Sequence, residues 1–257
     1  AIWKDMNRIY RRHIQFGAMG IEKQDACYPQ RITVWSPNDN NAVYPNIKQH
    51  PTRSQQAVYN IAKAFSVYAP HIGYGQGMLH LMVFLFMNIG DEEDTFWCFV
   101  SIMLSNDDKY RLQGVLKPQL PDMQLRLYQM ERSVAAFLPK LHAHFEQHGI
   151  SSAAMYQGPH WFITVFLATD LNMECLHRIW DIWLHEGYKV VFRFGLAILK
   201  HFQSDLLQQE FEGMLQMFRD TNNVDAAELV KTALSFKITH KQFSRMETEY
   251  RAIQSKG

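Results

Sequence analysis

Apolar residues recur at helical spacing in one segment of the chain after another. Val58, Ile61, Ala62 and Phe65 fall at i, i+3, i+4 and i+7, with Thr52 and Gln55 placed as a capping box and Pro70 closing the run. Phe96, Phe99, Val100 and Met103 repeat the stripe behind the acidic run Asp91, Glu92, Glu93, Asp94. Carboxylates there suit the positive end of a helix dipole; a metal-binding loop is the alternative, and a helix start is the simpler reading. Met123, Leu127, Met130, Val134 and Phe137 mark a helix begun at Pro121, and Pro139 opens another that Gly149 ends. Pro159 starts a helix carrying Trp161, Phe162 and Phe166. Met173, Leu176, Trp180 and Leu184 stripe the next as far as Gly187. Segments 190–203, 225–234 and 242–253 read as helices too.

No apolar–polar alternation is sustained enough to argue for a sheet, so the expected fold class is all-α. Residues 17–51 carry prolines at 29, 37, 45 and 51 and the polar stretch "NDNN", and read as one long loop.

Composition narrows the picture. A chain of 257 residues with 47% apolar and 20% charged residues can bury a real core. Its net charge of +1 offers no basic excess for a nucleic acid. Cys27, Cys98 and Cys175 form no C-x-x-C pair, which points to a reducing, intracellular setting. The most apolar run, Leu79–Met87, is far shorter than the ~20 residues of a membrane span. The start at Ala1, inside a helical pattern, is expected of a domain from a longer protein.

The candidate chemistry is sparse. "HIGYGQGM" (71–78) is glycine-rich, but no G-x-x-x-x-G-K-[ST] string follows, so the chain is not expected to bind a nucleotide through a P-loop. No G-x-S-x-G or H-E-x-x-H motif is present. His142, His144 and His148 are the nearest approach to a metal site. With Leu141 and Phe145 on the same face and no added cysteine or carboxylate ligand, they read as part of an amphipathic helix, and no metal is expected. Two short groups remain. Asp5 lies three residues from Arg8, within reach on a helix, as a surface ion pair or as a carboxylate that orients a guanidinium. Tyr74-Gly75-Gln76 reads, taken alone, as a glycine-rich turn with Gln76 as a helix cap.

Together these two groups resemble the TBC domain, the GTPase-activating module for Rab-family small GTPases. Ile2, Asp5 and Arg8 match its I-x-x-D-x-x-R motif, and Tyr74 and Gln76 match its Y-x-Q motif. "YRLQG" (110–114), "LPKLHAHFEQHGI" (138–150) and "RIWDIWLHEG" (178–187) resemble later landmarks in the same order, so the likeness covers almost the whole chain. There are departures. Ile9 stands where the family often has threonine, Arg11 where proline is common and Gly75 where cysteine is frequent. The 68 positions from Arg8 to Gln76 exceed the usual spacing, the surplus lying in 17–51.

The resemblance implies a V-shaped, two-lobed helical domain over 1–257, with approximate lobes 1–150 and 151–257. It implies a GTPase-activating protein that supplies Arg8 as an arginine finger, poised by Asp5, and Gln76 as a glutamine finger. Tyr74 would support the turn, and Gly75 and Gly77 would let the backbone approach the partner. Trp180 and Asp181 would belong to packing in the second lobe. The implied partner is a GTP-bound Rab that carries the GTP and Mg²⁺, so no cofactor and no hydrolase activity of its own are expected of this chain. A cytoplasmic role in vesicle trafficking, with peripheral endomembrane attachment through the rest of the protein, goes with this reading. The alternative is a non-catalytic TBC-fold module that binds a Rab or a scaffold.

Overall fold

The structure, a computed structural model, describes residues 2–6, 20–25, 28–34, 53–105, 109–116, 122–149, 158–217 and 221–255. The chain divides into two units, Ala1–Ile102 and Met103–Gly257. The division falls at the end of a helix; the expected lobe boundary near 150 lies in a stretch outside the described residues.

The first unit begins with α1 (Ile2–Met6), which packs against α2 (Arg53–Tyr68) and α3 (Met78–Ile89) and buries Met6. The stripe Val58, Ile61, Ala62 and Phe65 is fully buried on α2. Gln55 is buried with it, while its expected capping partner Thr52 lies outside the described residues. The run Leu79–Phe86 on α3 is buried on nearly every side, which explains why it lacks a polar face. In α4 (Glu92–Met103), Phe99 meets Phe65 edge to face at 4.8 Å. Burying each such ring is worth roughly 1.5–3 kcal/mol. The acidic run caps this helix as expected: the Asp91 carboxylate accepts from the Asp94 N–H at 3.0 Å.

The expected loop of 17–51 needs a correction. It holds an antiparallel hairpin, β1 (Gly20–Asp25) and β2 (Tyr28–Val34), with Gly20 opposite Val34, Lys23 opposite Ile32 and Asp25 opposite Tyr28. Two register shifts interrupt the pairing. A ribbon that irregular imposes no strict two-residue period, so pattern reading had nothing to find. Pro29 sits beside the start of its strand, where a missing N–H is tolerated. Apart from this hairpin the described elements are helices.

The second unit contains α5 (Leu112–Leu116), α6 (Met123–Phe137), α7 (Pro139–Gln147), α8 (Gly158–Thr164) and α9 (Met173–Glu186). It continues with α10 (Lys189–His201), α11 (Gln203–Leu206), α12 (Phe211–Met217), α13 (Ala226–Ser235) and α14 (His240–Gln254). Helix α10 lies at its centre, packed on α6, α8, α9 and α13 and buried through most of its length. Phe243 of α14 closes the core over Phe192 at 4.6 Å and Tyr188 at 5.3 Å.

Two expectations shift here. Leu184 is exposed, and the inward stripe of α9 runs through Leu176, Ile179, Trp180 and Trp183, itself an i, i+3, i+4, i+7 set. The helix begun near Pro159 ends at Thr164, before Phe166. Val165 and Phe166 both take positive φ, 48° and 66°, a conformation that stops a helix. The Trp180 indole N–H holds this turn by donating to the Val165 carbonyl at 3.2 Å. Trp180 is thus a packing residue, whereas Asp181 beside it is exposed.

Candidate functional site

The first unit brings the two sequence motifs together. Helix α1 presents Asp5, half-buried, toward the segment between α2 and α3. The Tyr74 hydroxyl donates to Asp5 Oδ2 at 2.7 Å. This bond joins residues 69 positions apart and puts one residue of each motif in contact. Burial, then the hydrogen bond and the charge of Asp5, push the Tyr74 phenol well above its ordinary value of 10.0, so it stays a donor at every working pH.

The segment carrying Gln76 is built by turns. Ile72 and Gly73 N–H groups return to the Ala69 carbonyl, at 3.0 and 2.9 Å, as α2 ends. Gly75 N–H donates to the Met78 sulfur at 3.2 Å, and Met78 N–H donates to the Gly75 carbonyl at 3.2 Å. Gly77 then enters α3 with φ 101°, a conformation any side chain would oppose. Met78 and Leu79 are buried immediately after it, so the turn is anchored on one side by the core.

Gln76 is exposed at the apex of this turn. The cap of α3 is Gly77 and no side chain bonds there, so the reading of Gln76 as a helix cap is set aside. Its carboxamide makes no hydrogen bond among the described residues. Arg8 lies outside the described residues. The structure thus places Asp5, Tyr74, Gly75, Gln76 and Gly77 in one neighbourhood, and Arg8 is three residues beyond Asp5 in sequence.

The histidine group resolves into ordinary contacts. His144 and His148 stack edge to face at 4.5 Å, His144 Nε2 lies 3.0 Å from the Gln209 carbonyl, and His142 lies 3.5 Å from Glu146. Among the described residues no cluster of three histidine, cysteine or acidic side chains could hold a metal. Nor is any described helix long and apolar enough to cross a membrane. One cavity in the second unit is lined by Arg111, Arg126, Trp183 and Tyr188 among others. At about 10 Å³ it has room for about one water molecule, not for a nucleotide. The guanidinium groups of Arg111 and Arg126 there lie over the Tyr188 ring, 4.9 and 4.7 Å from its centre.

The missed signal was the tyrosine–aspartate bond. Each residue was visible as a motif member, but no local period links positions 5 and 74.

Comparison with known proteins agrees in kind. The model of the Rab-GTPase-TBC domain family matches residues 4–207. The human ecotropic viral integration site 5 protein homolog is 34% identical over 213 residues, 81% of this chain and 25% of that protein. The Caenorhabditis elegans Rab GTPase-activating protein eat-17 is 32% identical over 208 residues, 79% of this chain and 22% of that protein. The chain therefore spans about a quarter of the length of such relatives. Among solved structures, the Ypt/Rab-GAP domain of Gyp1p aligns with a TM-score of 0.65 over 96% of this chain and 72% of that one, at 14% identity. The Chlamydomonas flagellar RabGAP TBC domain aligns at 0.60 over 75% of this chain and 62% of that one, at 22% identity. These two likenesses bear on the fold.

Proposed function

The chain belongs to the Rab-GTPase-TBC domain family, and from that premise we propose that it accelerates GTP hydrolysis by a Rab-family GTPase through two side chains supplied in trans. Arg8 is the arginine finger and Gln76 the glutamine finger. The observation that carries this reading is the 2.7 Å bond from Tyr74 to Asp5, which couples the segment bearing one finger to the helix leading to the other.

The physics is consistent with those roles. A small GTPase holds GTP and Mg²⁺ itself but stabilises the charge of the transferring phosphoryl group poorly. An arginine supplied in trans is worth about 10³–10⁵ in rate, roughly 4–7 kcal/mol of transition-state stabilisation. A guanidinium suits this because its planar fork stays charged and bridges phosphate oxygens. An exposed carboxamide suits the second role: its oxygen accepts from the attacking water while its NH₂ donates to the partner. The glycines on either side keep the approach narrow. In this reading the chain carries no cofactor and hydrolyses nothing alone. Its partner is the GTP-bound form, and it acts in the cytoplasm or on endomembranes through the rest of the protein.

The test is single-turnover GTP hydrolysis by a panel of Rab proteins, with the domain, Arg8→Ala and Gln76→Ala. Acceleration of at least one Rab, lost in both variants, is expected. No response from any Rab, or full activity in both variants, overturns the reading. A domain that binds a GTP-loaded Rab without changing its hydrolysis would instead be the non-catalytic module.

A further inference from the structure

The first unit carries an aromatic face that its core does not use. Val67 and Tyr68, in the last turn of α2, are 76% and 52% exposed, and Trp97 of α4 is 48% exposed. These are not loose side chains. Tyr68 meets Phe96 and Trp97 edge to face, each at 5.7 Å, and Phe96 meets Trp97 at 5.0 Å. Rings already fixed against one another lose little rotamer freedom on binding, and exposed tryptophan and tyrosine are the residue types that dominate association energies.

The charge around this face has one sign in excess. Glu93 and Asp94 stand four and three residues before Trp97, so they share its side of α4 one turn away. Glu92 is in the same relation to Phe96. All three are exposed, and none forms an ion pair among the described residues. Asp91 differs, since it caps the helix. Against the single charge of exposed Lys63, one turn before Val67 on α2, the carboxylates of Glu92, Glu93 and Asp94 leave an excess of negative charge among the described residues next to the rings. A rim of that sign repels anionic lipid and acidic peptides. It attracts lysine and arginine.

We propose that the face formed by Val67, Tyr68 and Trp97 docks a basic, apolar-anchored protein segment, whose apolar side chains cover the rings while its cations meet Glu92, Glu93 and Asp94. Arg8 and Gln76 are given no role in this docking.

The experiment measures fluorescence anisotropy of two labelled helical peptides, one of leucine and lysine and one of leucine and glutamate, titrated with the domain. The leucine–lysine peptide is expected to bind. Its affinity should fall at least tenfold in Trp97→Ala and in Val67→Ser, both at exposed positions where the fold is retained, as circular dichroism checks. The triple change Glu92→Gln, Glu93→Gln, Asp94→Asn should weaken it similarly and remove most of its salt dependence. Four outcomes overturn the proposal: no binding, equal binding of the leucine–glutamate peptide, binding indifferent to Trp97 and Val67, or recruitment to phosphatidylserine vesicles through this face. Self-association abolished by Trp97→Ala overturns it as well, by making a second copy the occupant.

Discussion

Tyr74 and Asp5 are joined by a 2.7 Å hydrogen bond from phenol to carboxylate, and this contact ties the turn of Gln76 to the first helix of the chain. Because the donor is a phenol whose ionisation is pushed upward by burial and by Asp5, the bond does not switch off near neutrality.

Tyr74→Phe removes only the donor. The carboxylate is half-buried and water replaces part of the bond, so the expected stability loss is about 1 kcal/mol. If the proposed roles hold, with the tyrosine positioning Asp5 and not touching the nucleotide, activation of a responsive GTPase should fall about tenfold in kcat/KM, equivalent to ~1.4 kcal/mol, with KM little changed. Urea unfolding and single-turnover hydrolysis measure the two losses. A variant that loses stability but keeps full activity would show that the bond serves folding alone.

The same residue sets an alkaline dependence. The folded phenol holds its proton more tightly than the unfolded one, whose value is near 10.0. Above that pH the unfolded chain has released the proton and the folded chain has not, so stability falls as pH rises. Below it the contribution is fully present. The stability difference between the protein and Tyr74→Phe should therefore be flat at neutral pH and shrink above pH 10, as urea titrations across that range would record.

How much of this was legible in sequence depended on what kind of interaction held each part. The helices were readable because each buries a face, and a face imposes a 3.6-residue period, as with Val58, Ile61, Ala62 and Phe65. The stripe on α9 was misplaced at its end. Leu184 and Trp183 are adjacent apolar residues, and only packing chooses between them. The hairpin of 20–34 is held by backbone pairing with shifted register, which leaves no period in side-chain type. The site residues Asp5, Tyr74 and Gln76 were visible as motifs, yet the Tyr74–Asp5 contact was not, because it is a tertiary bond.

Gly187 tests a backbone constraint in the second unit. It ends α9 with φ 77° and ψ −156°, a region open in practice only to glycine. A β-carbon there would also run into the Lys109 carbonyl oxygen, which accepts from the Tyr188 N–H at 3.0 Å. Strain and clash act together, so Gly187→Ala should destabilise the protein by about 2 kcal/mol or more. Thermal or urea unfolding checks it; a change within ~0.5 kcal/mol would contradict the assigned backbone geometry.

Glu186 supplies an acid dependence. Burial favours its neutral form, but Lys189 at 2.7 Å and Arg193 at 2.8 Å outweigh that and hold its carboxyl below the ordinary value of 4.5. A lowered folded value means stability that is present above the unfolded value and lost as pH falls through the folded one. Glu186→Gln should cost about 1 kcal/mol at neutral pH. Its stability should approach that of the protein below pH 4.5, where the wild-type carboxyl takes up its proton. Parallel urea titrations at neutral and acidic pH distinguish this from a loss that pH does not change.

Gln76 gives the sharpest separation of folding from function. Its side chain is exposed, it caps no helix, and the turn around it is held by Gly77 and by Met78 in the core. Gln76→Ala removes nothing that folding uses, so stability should stay within ~0.5 kcal/mol. If the carboxamide orients the attacking water, it acts only in the transition state, and kcat should drop by about 10²–10³ while GTPase binding persists. Hydrolysis rates at saturating domain, together with a melting curve, measure both. A large loss of stability would return Gln76 to a structural role, and unchanged kcat would remove it from the chemistry. Only an intact fold combined with a slow reaction fits a residue presented outward to another protein's nucleotide.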